Sequence, residues 1–217
     1  MTFYQSDLSP FAARVRIQMR AKGIEHIAIE KPPGGTGSTE FRALNPTGKI
    51  PVLVVDGVAI AESLTICDYL EDQFPSPSLW PTDLLARAQA RTIARATDLY
   101  VCGPMFQTTG HASRKTRDQA FVDARLSELK SGLGYIDAWR GAAGATGRYA
   151  VGDQLSLADA SLAPALFFVV NFAARVFARD DLLSEAMSHY WHGIQQDACV
   201  APTLAAMDAA LTAARGG

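Results

Sequence analysis

Short apolar runs bounded by turn residues fill the first third of the chain, and apolar residues three and four apart fill the rest. Thr2 to Gln5 predicts a first strand, followed by Ser9-Pro10, which pairs an N-cap residue with a first helical residue. Phe11, Val15 and Met19 then mark one helix face, with Ile17 and Ala21 beside it, and Lys22-Gly23 ends the helix. His26 to Ile29 predicts a second strand, which makes a βαβ unit with parallel strands and a right-handed crossover. Pro32 to Gly37 excludes helix and strand, and the chain reads as loop from there to Leu44.

Asn45 to Asp72 is the most informative stretch. Val52 to Val55 predicts a buried strand, Asp56-Gly57 a type I′ hairpin, and Val58 to Ile60 the returning strand. A helix follows, with Ser63 as its expected N-cap and Ile66, Leu70 and Phe74 at four-residue intervals; its N-terminus offers main-chain N–H groups to a carboxylate or phosphate. Three prolines between Phe74 and Asp83 then make a stiff linker in which Trp80 packs to one side or the other. Beyond it helices are expected over Leu84 to Gly110, Arg117 to Arg140, Leu182 to Gly193 and Thr203 to Ala214. Gly132 and Gly134 weaken the second of these. Ser156 and Asp159 have capping-box spacing before a helix apolar nearly all round, expected at the centre of this half.

Composition narrows the function classes. The 217 residues are 48% hydrophobic, enough for one large or two modest cores. A net charge of -2 with no basic run points away from nucleic acid and anionic membranes as partners. Cys67, Cys102 and Cys199 lie far apart without C-x-x-C, so disulfides are not expected and a reducing compartment is. The strand-like start in place of a basic and apolar leader predicts no signal peptide. The uncharged run from Asp159 to Arg175 is shorter than the ~20 residues of a membrane span and contains Pro164 and Asn171, so it reads as a buried helix. His189 and His192 have a chelating spacing but no third ligand nearby, and no metal site is expected.

The order of strand, Ser-Pro helix, Asn45-Pro46-Thr47-Gly48-Lys49-Ile50-Pro51 loop, Asp-Gly hairpin, Glu62-Ser63 helix, proline linker and helical half resembles a cytosolic glutathione transferase of bacterial type. The resemblance spans the chain and is strongest over Asn45 to Leu70 and Gly152 to Leu162. It implies an α/β thioredoxin-like N-terminal domain (βαβ-ββα, residues 1–76) that binds glutathione, a linker (77–85) and an all-helical domain (86–217) that forms the acceptor-substrate pocket. It also implies a cytoplasmic homodimer with a role in detoxification. Arg14-Val15-Arg16-Ile17 after Ser9 is similar to the zeta-class pattern, although Pro10 and Phe11 replace the serine and cysteine that follow the first serine there.

Residue roles follow from the resemblance. Pro51 matches the family's cis-proline, beside which Ile50 offers its main chain to the cysteinyl part of glutathione. Ser63 and its helix N-terminus take the γ-glutamyl carboxylate, Glu62 the ammonium, and Lys49 the glycyl carboxylate. Ser9 is the expected catalytic residue, a hydroxyl donor to the sulfur, with Tyr4 and Ser6 as rivals. Each role has a structural alternative: a turn for Pro51, a helix cap for Ser63 and Ser9, a solvated charge for Lys49. Phe11, Met105, Phe106 and Phe168 are candidates for the acceptor pocket, or else core. The implied reaction is conjugation of glutathione thiolate to a small, mostly apolar electrophile. The alternatives are a glutathione-dependent cis-trans isomerase of maleylacetoacetate or maleylpyruvate type and a non-catalytic binding protein. The isomerase would need a cation from the helix after Pro164, where Arg175 lies about one turn late and Asn171 takes the nearer position.

Overall fold

A computed structural model describes residues 1–145 and 147–216, which group into two compact units. The first runs from Met1 to Leu79 and takes in the chain from Ala198 onward; the second is Trp80 to Asp197.

The first unit holds β1 (Thr2–Tyr4), α1 (Pro10–Ala21), β2 (Ala28–Glu30), α2 (Thr39–Leu44), β3 (Val52–Val55), β4 (Val58–Ile60) and α3 (Ser63–Gln73). The strands form one sheet in the order β2-β1-β3-β4. β1 runs parallel to β2, with Phe3 opposite Ile29, and antiparallel to β3, with Phe3 opposite Leu53. The β3–β4 hairpin turns at Asp56 (φ 49°) and Gly57 (φ 83°), the two left-handed residues of a type I′ turn, as the Asp-Gly signal predicts. β2 lies one to two residues later than expected, because Ile27 is buried outside the ladder and Ile29 takes the pairing position.

α2 replaces part of the expected loop. Ser38 caps it by accepting from Phe41 N at 3.0 Å, and it buries only Phe41, against which the Tyr4 ring stands edge-on. Six residues are too few for helical periodicity to show.

α1 is buried on nearly every side, packed against α3 and against the last helix of the chain, α10 in the order used below (Ala201–Gly216). Sequence order put that last helix with the helical half, whereas its contacts put it with the first unit. Burial of α1 on all sides forces its polar side chains to find partners. The Lys22 ammonium, with no exposed side-chain surface, lies 3.0 Å from the Glu71 carboxylate and donates to the carbonyls of Phe74 and Pro77. Glu71 also accepts from Gln18, Ser78 and the main-chain N–H of Leu79. The start of the proline-rich segment is thereby tied to two helices by a buried ion pair whose remaining valences are filled.

The second unit holds α4 (Leu84–Ala96), α5 (Gly103–Gln107), α6 (Gln119–Ala142), α7 (Leu157–Phe168), α8 (Arg175–Phe177) and α9 (Glu185–Ile194). Trp80 packs into this unit, with the Arg91 guanidinium 5.0 Å above its ring. The single helix expected from Leu84 is broken by a π-helical segment at Thr97–Cys102, and a second π segment, Val169–Ala174, follows α7. The run Leu157–Phe177 is long and apolar enough to cross a membrane by composition alone, but α7 is buried along its whole length here, as expected of a core helix. The capping box is present. Asp159 Oδ2 accepts from the N–H and the hydroxyl of Ser156, and Oδ1 from Ala150 N–H and Tyr190 O–H. Burial raises the Asp159 carboxyl to about 6, against the pull of these four donors.

Gly132 does more than weaken α6. A Cβ at that position would lie 2.2 Å from the carbonyl oxygen of Tyr100, in the first π segment, so α6 and that segment meet only because the residue has no side chain. Gly134 has open space around it. Replacement of Gly by Ala in a helix gains ~1 kcal/mol in propensity, whereas overpacking against a main chain costs ~2 kcal/mol or more. Gly132→Ala is therefore expected to lower stability and Gly134→Ala to raise it, opposite signs that urea unfolding of the two variants will show. Asp159 generates a pH prediction. The folded carboxyl releases its proton near 6 and the unfolded one near 3.8, so the native state binds more protons between those values. This group's contribution to stability is fully present below the unfolded value and is lost as pH rises through the folded one. Wild type should lose more stability than Asp159→Asn on going from about pH 4 to about pH 6, measured as urea midpoints.

Candidate active site

Ser9 ends the loop after β1 in extended conformation, and Pro10 opens α1. Its hydroxyl oxygen accepts from Ala12 N–H at 3.2 Å, so Ser9 is the N-cap. That bond uses one lone pair. A hydroxyl also has a proton to donate, and among the described residues nothing accepts it. Capping and donation to a ligand are therefore compatible, at the positive end of a twelve-residue helix. Of the rivals, Tyr4 is half-buried with its ring against Phe41, and Ser6 is exposed with its carbonyl accepting from Ser9 N–H.

The loop before β3 is shaped by Asn45, only 4% exposed. Its amide donates to Lys49 O at 2.8 Å, and its carbonyl oxygen accepts from the N–H and the hydroxyl of Thr47. Gly48 (φ 66°) passes so close to Gly37 that a Cβ would lie 3.0 Å from its Cα, and Arg42 clamps both strands of this meeting by donating to Gly37 O and Pro46 O. Lys49 and Ile50 thus line, with Thr36, Gly37 and Gly48, a recess of about 380 Å³. The Ile50–Pro51 peptide is cis, and Ile50 lies two residues before Val52, the first paired residue of β3. Among the described residues the Ile50 main chain makes no hydrogen bond, so both its N–H and its C=O remain for a ligand.

The start of α3 departs from expectation. Glu62, not Ser63, is the N-cap, and no side chain caps the helix. Ser63 is buried, and its hydroxyl accepts from Arg14 Nη1 at 2.9 Å. Arg14, 1% exposed, is among the largest fully buried side chains of the protein and needs acceptors inside it. Sequence reading missed this residue. The signal was available: apolar positions 11, 12, 13, 15, 17 and 19 leave α1 no polar face on which Arg14 could be solvated. Glu62 is exposed with φ 66° and ψ 114°, a conformation that L-residues rarely adopt. The α3 N-terminus accordingly combines uncapped main-chain donors, an underlying guanidinium and an exposed carboxylate.

The candidate pocket residues differ in burial. Phe11 is half-buried on α1, with the Arg14 guanidinium 5.8 Å from its ring. In the second unit Met105 has no exposed surface and packs in the core, while half-buried Phe106 and buried Phe168 stand edge to face at 5.5 Å.

Comparison with known proteins identifies the family. The N-terminal domain model of glutathione S-transferase matches residues 3–78, and the C-terminal domain model matches residues 96–181. The chain belongs to the glutathione S-transferase family. Glutathione is its co-substrate, and the first unit carries the thioredoxin-like part of the fold. Glutathione S-transferase 1 of Dianthus caryophyllus is 32% identical over 88% of this chain and 86% of its own length. Maleylacetoacetate isomerase of Rattus norvegicus is 34% identical over 70% of this chain and 69% of its own. Among solved structures, a maleylpyruvate isomerase described as a bacterial glutathione S-transferase of zeta class superposes with a TM-score of 0.75 over 95% of this chain and 98% of its own, at 23% identity.

The strained cap of this transferase gives a direct test. Glu62→Gly removes both the carboxylate and the strain, whereas Glu62→Ala removes only the carboxylate. The glycine variant is expected to be the more stable of the two by ~1 kcal/mol in chemical unfolding, although glycine is ordinarily the less stabilising residue.

Proposed function

We propose that this transferase ionises the thiol of glutathione against the Ser9 hydroxyl and attaches the sulfur to a small, mostly apolar electrophile. The observation that carries the reading is the unassigned proton of Ser9 at the start of α1. A thiol of ordinary pKa, about 8.5, is only a few per cent thiolate at neutral pH, and the thiolate is the nucleophile. One charge-assisted hydrogen bond and a helix terminus each favour the anion, and ~1.4 kcal/mol lowers the pKa by one unit. The chain has no cysteine among residues 1–23 that could form a mixed disulfide with glutathione at this position.

The rest of the tripeptide fits the elements already described. Lys49 faces the glycyl carboxylate in its recess, and Ile50 pairs through its N–H and C=O with the cysteinyl residue beside Pro51. The α3 N-terminus and Ser63, backed by Arg14, receive the γ-glutamyl carboxylate, and Glu62 the ammonium. In the chemical step the sulfur lone pair forms the new bond to carbon. The displaced pair leaves with the leaving group in a substitution, or moves onto the acceptor, which then takes a proton, in an addition. In the second unit Phe106 and Phe168 are the aromatic side chains we assign to the acceptor. Met105, fully buried, supports them from the core. We further place the protein in the cytoplasm, in detoxification and as a homodimer. The exposed Leu84, Leu85, Leu99, Tyr100 and Tyr135 supply apolar surface for self-association.

A second reading, glutathione-dependent cis-trans isomerisation of maleylacetoacetate or maleylpyruvate, draws on the likeness to the rat isomerase. Against it, half-buried Asn171 is neutral and Arg175 is exposed, so the helix after Pro164 offers a dicarboxylate no inward cation.

The test is a thiolate absorbance titration of bound glutathione in wild type and Ser9→Ala, after retention of both on immobilised glutathione. The bound thiol should titrate about one unit or more below 8.5 in wild type and return toward 8.5 in the variant, with conjugation of an aryl halide slowed roughly tenfold or more. Failure of wild type to be retained would remove the glutathione site as drawn, and an unchanged titration would remove Ser9 from its role. Turnover of maleylpyruvate in preference to the aryl halide would decide for the isomerase.

A further inference from the structure

The two walls of the recess at Lys49 come from opposite ends of α2. Thr36 and Gly37 precede the helix, and Gly48, Lys49 and Ile50 follow it. A helix of six residues sets its ends ~9 Å apart. A Cβ on Gly48 would nevertheless lie 3.0 Å from Gly37 Cα. The chain after α2 therefore folds back along the helix to meet the segment before it.

Each wall is held from within. Ser38 donates its hydroxyl to Pro33 O at 2.7 Å, caps α2 through Phe41 N, and donates its own N–H to Gly35 O. Asn45 holds the other side through Lys49 O and Thr47. Neither of these sets joins the walls to each other. Arg42 does so from the middle of α2: its Nε donates to Gly37 O at 3.0 Å and its Nη1 to Pro46 O at 3.2 Å. The same guanidinium backs Gly48, where a Cβ would come within 3.3 Å of Arg42 Cζ. A guanidinium presents its donors in a rigid planar fork, so two carbonyls bonded to it at once are kept at a fixed separation. Thr36, Gly37, Gly48, Lys49 and Ile50 line the recess, and Arg42 stands behind them.

We propose that Arg42 is a positioning residue for glutathione. By fixing the separation of the two walls it holds Lys49 and Ile50 where the glycyl end of the tripeptide meets them, and so makes the enzyme select glutathione over γ-glutamylcysteine, which lacks the glycine. This role rests on the seating of the glycyl carboxylate at Lys49 proposed above. The glycyl end is remote from the reacting sulfur, so the clamp contributes binding that ground state and transition state share. Such binding sets KM and leaves kcat alone.

The experiment compares full-length wild type, Arg42→Gln and Arg42→Lys in the conjugation of one aryl halide, with glutathione and with γ-glutamylcysteine as the varied thiol. Wild type should have the lower KM for glutathione. In Arg42→Gln that KM should rise about tenfold, the effect of losing one charge-assisted hydrogen bond, while kcat stays within about twofold and the KM for γ-glutamylcysteine barely moves. Arg42→Lys keeps the cation without the fork and should resemble Arg42→Gln. An unchanged KM for glutathione in Arg42→Gln overturns the proposal, and so does an equal rise for both thiols, which marks a general disturbance of the site. A wild-type KM in Arg42→Lys overturns it as well, because the charge and not the clamp would then be responsible. Equal KM values for the two thiols in wild type have the same consequence. Retention on immobilised glutathione separates these failures from that of the site itself: wild type that is not retained overturns the glutathione site and the clamp together, whereas retained wild type leaves only the clamp at stake.

Discussion

The burial of one guanidinium beneath the start of α3 organises the first unit. Arg14 is surrounded by the apolar positions of α1 and cannot reach water, so its charge must be met by acceptors inside the protein. Ser63 turns its hydroxyl inward to serve as one of them, and is thereby removed from capping its own helix. The cap falls to Glu62, which holds a left-handed φ to aim the chain into α3 and exposes its carboxylate as a result. The uncapped N–H groups of the first turn, the cation behind them and the carboxylate beside them are consequences of that one buried charge.

α1 carries this role further along its length. Its first residues hold the Ser9 hydroxyl, its middle holds Arg14, and its end holds Lys22 in an ion pair with Glu71 that anchors the proline-rich segment. A helix exposed on one face could not do this, because each of these side chains would be solvated. The buried polar positions of α1 are tied to partners within the protein because the helix packs against α3 and α10.

In the second unit the corresponding constraint is closeness of main chains. Gly132 lets α6 reach the π-helical segment at Tyr100, and Asp159 gathers four donors from the start of α7, the preceding loop and α9. The capping box was legible in the sequence because Ser156 and Asp159 are three residues apart, and local spacing is what a sequence displays. The π segments were not, since an extra residue in a helical turn leaves the apolar periodicity nearly unchanged over so few residues. α2 escaped for the related reason that two turns burying one side chain carry no period.

The sequence by itself determined the strands and their hairpin, the helical half, the Ser9-Pro10 helix start and the family, because each rests on neighbours within a few residues or on a motif with fixed spacing. Only the tertiary structure decided which hydroxyl caps a helix and which meets a buried charge, that Asn45 and Arg42 shape the loop bearing Ile50, and that the last helix belongs with the first unit. Those outcomes depend on groups brought together from distant parts of the chain, where the cost of an unpaired buried charge or donor, and not local propensity, selects the partner.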